Sequence, residues 1–297
     1  MSDLAVGIVG LGNMGGRIAT RIQAGGLSLL GYDSDPERAP ALGIAAAATL
    51  GELVAAVDLV ALSLPDSSVV EAVVRGDGGI LAAARAGQIV VDLGTSSPSS
   101  TRELAAELAQ RGVAMLDAGI SGGAAAAEKG TLTIMVGGEA EPLEAVRGVL
   151  TTFSQKVFHM GAVGSGHATK LLNNFLNAVT LAATAEVMVA ARMAELDLAQ
   201  VLEVINASSG VSFASLNRFP SIIEGDYLEG GLTNRLMLKD VTLYVDMLRE
   251  LGAPSLNVAG PLASFGLALG LGYGDLISNR VVDAIGDVAG GVRVSAG

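Results

Sequence analysis

Apolar residues in the first half of the chain gather in short runs, at 6–9, 27–32, 57–63, 89–92, 113–117, 132–136 and 156–159. Runs this short, rich in Val, Ile and Leu and bounded by Gly, Asp or Ser, predict strands buried on both faces. Between them the segments 14–24, 68–75, 99–111 and 142–152 are amphipathic or Ala-rich and predict helices. Repeated alternation of this kind builds an α/β domain with a mostly parallel sheet covered on both sides. Beyond Gly166 the strand signal ends. A long helix is expected over 167–195, then shorter ones near 199–207, 213–218, 235–251 and 261–271, so the remainder reads as all-α. The Gly-rich turn 161–166 is the expected boundary. It gives a dinucleotide-binding domain at 1–163 and a helical substrate and oligomerisation domain at 164–297, entered by a long interdomain helix.

The stretch HATKLLNNFLNA, residues 167–178, interrupts this apolar pattern at the start of the long helix. At 100° per residue Lys170, Asn173, Asn174 and Asn177 share one face. Such a stripe looks either at water or into a site.

Composition narrows the partners. Apolar residues make up 51% of 297 and charged residues 16%, with a net charge of −12 and no Lys/Arg cluster. That balance argues against nucleic acid and anionic membrane surfaces as partners. Two stretches, 179–191 and 251–273, are apolar enough to suggest a membrane span. Glu186 interrupts the first, and Pro254, Pro261 and five glycines break up the second, so both read as buried helix. The opening MSDLAVGIVGLG runs into a strand pattern without a basic n-region, so no signal peptide is expected and the cytoplasm is the expected compartment. The chain has no cysteine and only two histidines, His159 and His167, too few for a catalytic zinc site.

Gly10-Leu11-Gly12-Asn13-Met14-Gly15 closes the first strand and opens the first helix in the pattern G-x-G-x-x-G. The first glycine permits the tight turn, the second lets a pyrophosphate approach the backbone, and the third allows close helix–strand packing. Helix N–H groups then face the phosphates. Asp33 follows at the end of the second strand, 18 residues beyond Gly15, where a carboxylate accepts hydrogen bonds from ribose hydroxyls. It would repel a 2′-phosphate by up to ~4 kcal/mol per unit charge at 4 Å and a dielectric of 20. The next residues are Ser34, Asp35 and Pro36, with no arginine before Arg38. NAD is therefore expected in preference to NADP, in a Rossmann-type fold.

Taken with three further segments, this turn resembles the β-hydroxyacid dehydrogenase family, the group of 3-hydroxyisobutyrate dehydrogenase and tartronate semialdehyde reductase. The segments are GIVGLGNMGGRIA at the turn, DAGISGGAAAAEKGTLTIMVGG at 117–138, GSGHATKLLNN at 164–174 and LMLKD at 236–240. The resemblance implies that Ser121, Gly122 and Gly123 bind the substrate carboxylate, that Lys170 is the catalytic acid/base and that Asn174 orients the substrate. It implies further that Leu64, Pro65 and Thr95 line the nicotinamide and that Lys239 and Asp240 reach the cofactor and active site. It also implies a homodimer or homotetramer built through the helical domain. His167, Asn173 and Asp240 are expected behind the residues that touch the ligands. Two positions depart from the family pattern: Gly119 stands where Asp-Ala-Pro-Val has proline, and Leu232 where an aromatic usually follows glycine. Both bear on which substrate fits.

Residue types agree with this chemistry. A partly buried lysine with a lowered pKa, facing a hydroxyl, is a suitable acid/base for hydride transfer to nicotinamide, and Asn174 one turn on adds a neutral donor. No Tyr-x-x-x-Lys pair competes, since Pro36, Gly231, Leu248 and Ile277 lie four residues after the tyrosines. The 6-phosphogluconate dehydrogenases, which are related, carry histidine where Asn173 stands. Two other readings fit the fold: an imine reductase-like NAD(P)H enzyme, and a non-catalytic dinucleotide-binding interaction module. Both generally lose the lysine, so Lys170 disfavours them. The leading expectation is NAD-dependent interconversion of a small β-hydroxy acid and its semialdehyde.

Overall fold

The computed structural model describes residues 4–295; the first three residues, within the opening stretch where no signal peptide is expected, and the last two lie outside the described residues. Eight strands form one sheet: β1 (Val6–Val9), β2 (Leu29–Tyr32), β3 (Ala45–Ala46), β4 (Leu59–Leu62), β5 (Ile89–Asp92), β6 (Ala114–Ser121), β7 (Leu132–Gly137) and β8 (Ser154–Gly161). Their order is β3-β2-β1-β4-β5-β6-β7-β8. All neighbours are parallel except β6 and β7. The chain order reverses at β1, so the carboxyl ends of β1 and β4 flank the crevice where doubly wound sheets take their ligands.

Apolar strands explain the two-sided burial. On one face Ile8, Ala61 and Val91 pack with Ile18 and Ile22 of the helix Asn13–Ala24 and with Leu143 and Val146 of Ala140–Leu150. On the other, Val9, Val60 and Val90 meet Leu53, Val70, Val74 and Leu104. Fully burying each such side chain contributes roughly 1.5–3 kcal/mol, so both faces resist exposure.

The structure differs from the sequence pattern where local signals are weak. The helix Leu50–Ala56 was hidden by its Ala-rich lead-in, although Thr49 Oγ1 accepts from Glu52 N and Glu52 Oε2 from Ala48 N, a capping pair visible as Thr-x-x-Glu. The run of alanines at 124–127 lies in the helix Gly123–Lys129. Strand β6 continues four residues past its expected end, because from Asp117 to Ser121 it pairs antiparallel with β7.

Two compact units divide at Lys170: Met1–Lys170 and Leu171–Gly297. The division falls inside the helix Ser165–Met193, because its first turn is seated on β6 and β7. A Cβ at Gly166 would stand 2.4 Å from the carbonyl oxygens of both Asp117 and Met135, so only glycine lets the helix rest on the strand backbones. Asp117, wholly buried, fixes that seat: its Oδ1 accepts from Gly164 N at 2.7 Å and its Oδ2 from His167 N at 2.7 Å.

The second unit packs Leu181, Ala185 and Met188 of the same helix with Phe219, Met237, Phe265 and Val281. The helices Phe219–Ile223 and Val281–Val288 add to the four expected after the long one. Among the described residues, Ser165–Met193 is the one helix long and apolar enough to cross a membrane, and half of its most apolar window is buried inside the protein.

Replacing Asp117 by Asn removes the charge and one of two acceptors at the helix seat. It is expected to lower unfolding stability by about 1–3 kcal/mol, read as a lower urea midpoint; an unchanged midpoint would contradict the seat.

Candidate active site

The cofactor turn is built by steric need. A Cβ on Gly10 would lie 2.3 Å from Ser63 O, and one on Gly15 would lie 1.9 Å from Gly10 O. Both glycines are therefore demanded by the packing of turn, helix and β4. Gly12 is different: a Cβ there would meet Arg38 Nη1 at an ordinary contact distance of 3.7 Å, so the packing of the fold does not itself demand glycine. Gly12 also precedes the helix Asn13–Ala24 without any side-chain cap on the first N–H groups. A second glycine that the packing does not require, followed by a helix start without a side-chain cap, fits the close approach of a dinucleotide's pyrophosphate. Asn13 is exposed at the helix start and Met14 half-buried behind it.

Leu11 N donates to Asp33 Oδ2 at 2.6 Å, tying the turn to the end of β2. Burial pushes the Asp33 carboxyl up, but the N–H groups of Asp35 and Leu11, helped by Arg38, outweigh it and hold the group below the usual carboxylate range. Asp33 is thus anionic at neutral pH. Arg38, five residues on in sequence, brings its Nε to 3.9 Å from Asp33 Oδ1 and 3.5 Å from Asp35 Oδ2. Its charge is shared by two carboxylates. Leu64 lies against the turn, its Cδ2 3.1 Å from the would-be Gly10 Cβ, and Pro65 follows it after β4. Thr95 sits in the loop after β5, which Asp92 shapes by accepting from Gly94 N and Ser96 Oγ, each at 2.8 Å. The ends of three adjacent parallel strands therefore bring Gly10–Gly15, Leu64–Pro65 and Thr95 to one edge of the sheet.

Further along that sheet, β6 ends at Ser121, and Gly122 and Gly123 turn into the helix Gly123–Lys129 with φ of 130° and 69°. Lys170 belongs to the same unit and is only 8% exposed. A lysine is rarely buried to this degree without a task or a partner. His167, one turn earlier, points into the protein rather than lining a cleft. Its Nδ1 is 2.8 Å from Thr101 Oγ1, and that hydroxyl gives its single proton to Ser97 O at 2.9 Å, so Nδ1 is the donor. Its Nε2 stands 3.7 Å from Asp92 Oδ2 without a hydrogen bond.

In the second unit Asn174 is buried and donates Nδ2 to Asp240 Oδ2 at 2.5 Å, while its Oδ1 accepts from the exposed Asn173 at 3.3 Å. Lys239 Nζ stands 3.2 Å from Asp240 Oδ1, an ion pair without hydrogen-bond alignment. Beside them the rings of Phe175 and Tyr244 stack at 4.0 Å and 9°, joining the helices Ser165–Met193 and Asn234–Leu251. The polar stripe is therefore graded. Lys170 and Asn174 are buried on successive turns of one helix, Asn177 is half-buried, and Asn173 is at the surface. Sequence reasoning gave no role to Asp92 and Asp117; the available signal was a carboxylate placed directly after an apolar run.

Residues 5–161 match the family model described as the NAD binding domain of 6-phosphogluconate dehydrogenase. Residues 164–275 match the one described as NAD-binding of NADP-dependent 3-hydroxyisobutyrate dehydrogenase. The chain is 33% identical to 2-(hydroxymethyl)glutarate dehydrogenase of Eubacterium barkeri over 99% of both chains. It is 35% identical to the NAD-dependent L-serine dehydrogenase of Pseudomonas aeruginosa, covering 91% of this chain and 94% of the other. The solved structure of Mycobacterium tuberculosis 3-hydroxyisobutyrate dehydrogenase with L-serine superposes with a TM-score of 0.84 at 29% identity, covering 96% of this chain and 99% of that one.

A carboxylate at Asp33 is expected to select the cofactor at its adenosine end. Asp33→Ser is expected to weaken NAD and to improve kcat/KM for NADP by at least tenfold, since a repulsion of a few kcal/mol is removed beside Arg38. Because the carboxyl lies below its usual range, the native preference should stay constant through neutral pH. Parallel assays with both cofactors check this; an unchanged ratio in the variant would contradict it.

Proposed function

The chain belongs to the β-hydroxyacid dehydrogenase family, and we propose that it interconverts a small β-hydroxy acid carrying a primary alcohol and the matching semialdehyde, using NAD and Lys170 as acid/base. The observation that carries this is the burial of Lys170, in the unit that also holds the Gly10–Gly15 turn and the Ser121–Gly123 strand end. The relatives' names support the substrate class. 2-(Hydroxymethyl)glutarate, L-serine and 3-hydroxyisobutyrate each have a hydroxymethyl group on the carbon next to a carboxylate.

In this reading Ser121 Oγ and the N–H groups of Gly122 and Gly123 hold the substrate carboxylate without a cation. Gly10 to Gly15, Asp33, Leu64, Pro65, Thr95 and Lys239 hold the dinucleotide. When bound, NAD supplies the acceptor for the hydride leaving the hydroxyl-bearing carbon. Lys170 Nζ takes the hydroxyl proton in the oxidation and returns it in the reduction. Asn174 offers its second amide hydrogen to the substrate oxygen, its amide plane being set by the bond to Asp240. A neutral amide there binds oxygen without competing with Lys170 for the proton.

The same proposal has residues 1–163 bind the dinucleotide and residues 164–297 supply substrate selection and subunit contacts, in a cytoplasmic homodimer or homotetramer. Support for assembly comes from the second unit's exposed apolar side chains, among them Leu176, Val204, Phe213 and Leu251.

A panel of small hydroxy acids assayed with NAD tests the reading. Turnover is expected for one with a primary alcohol next to the carboxylated carbon, and Lys170→Ala should lower kcat about 10²–10⁴-fold while NAD affinity is kept. NAD binding without turnover of any such acid would favour the interaction-module reading instead. Light scattering should give at least a dimer mass; a monomer would defeat the assembly.

A further inference from the structure

Gly119 lies in the middle of β6, paired with Met135 of β7, and its φ is not in the left-handed region. Nothing in the strand's own conformation asks for glycine. Its neighbour does. A Cβ on Gly119 would stand 2.6 Å from Lys170 Cβ, 3.0 Å from Lys170 Cγ and 3.5 Å from Gly166 O. The aliphatic stem of Lys170 therefore lies against bare strand backbone.

From this contact we infer that Gly119 is a positioning residue for Lys170, setting how deep its stem sits and so where Nζ is delivered. The inference rests on the acid/base reading of Lys170. The start of the helix is held down, because Asp117 accepts from Gly164 N and His167 N. A Cβ cannot rotate away from its own backbone, so a methyl at 119 must displace the Lys170 position itself, one turn beyond that seat, and carry the stem with it. Moving a Cβ contact of 2.6 Å to an ordinary carbon–carbon separation of about 3.5 Å shifts the stem by about 1 Å. Misplacement of that size at a reacting group costs on the order of 100-fold in rate.

The test is a double-mutant cycle on kcat, with NAD affinity measured alongside. Gly119→Ala should lower kcat about 100-fold, leave NAD binding unchanged and have no further effect in a Lys170→Ala background. Full activity of Gly119→Ala beside an inactive Lys170→Ala overturns this inference alone, as does an equal loss from Gly119→Ala in both backgrounds. Full activity of Lys170→Ala instead removes the acid/base reading on which it rests. Should Gly119→Ala be insoluble, adding Lys170→Gly, which deletes the overlapping Cβ and Cγ, should restore soluble protein. Insolubility of both variants overturns the contact.

Discussion

The buried carboxylate of Asp117 is the constraint on which the seat of the long helix, and with it the place of Lys170, depends. It lies where β6 leaves its parallel neighbour β5 and begins to pair with β7. Its two oxygens accept N–H groups that no helical carbonyl can satisfy, at the start of a 29-residue helix. An anion at that end is favoured by the helix dipole as well as by the hydrogen bonds. Burying it without those donors would cost several kcal/mol, so strand and helix hold each other in place. Lys170 is carried one turn beyond.

How much of this was legible follows from where the local signal is strong. Strands buried on both faces are read from composition alone, which is why β1, β4 and β5 lie where the apolar runs are. The end of β6 was not legible, because Ala118-Gly119-Ile120-Ser121 has the composition of a loop and becomes strand only by pairing with β7. Short helices such as Phe219–Ile223 carry too few turns to show a period and are fixed by burial of Phe219 and Ile222. At the candidate site the glycine turn and Asp33 were legible because their roles are local. The partners of His167 were not, since Asp92 and Thr101 are 75 and 66 residues away from it in sequence. Arg38 shows the same limit in reverse: five residues from Asp33 along the chain, its guanidinium still folds back beside that carboxylate.

Three deeply buried carboxylates then share one style of use. Asp92 collects Gly94 N and Ser96 Oγ, Asp117 collects Gly164 N and His167 N, and Asp240 collects the amide of Asn174. Each gathers neutral donors, and Asp240 also has Lys239 within ion-pair distance. An ionised carboxylate can only accept, so every group around it must present a hydrogen, and its orientation is decided without ambiguity. An amide or hydroxyl in the same place could flip or rotate and would leave the loop with two arrangements of similar energy. Hydrogen bonds to a charged acceptor contribute roughly 1.5–3 kcal/mol each, about twice a neutral pair, so two of them fix a turn more firmly than packing of the same few atoms.

That economy of charge is how a chain with few charged residues places the helix that carries Lys170. Asp117, within β6, meets the start of that helix through Gly164 N and His167 N, and Asp92, at the end of β5, holds the following loop through Gly94 N and Ser96 Oγ. A backbone N–H is always protonated and is aimed by the helix itself, so the seat at Asp117 has one arrangement. Carboxylates in β5 and β6 thus set geometry through neutral partners, and the place of Lys170 follows from that seat one turn on.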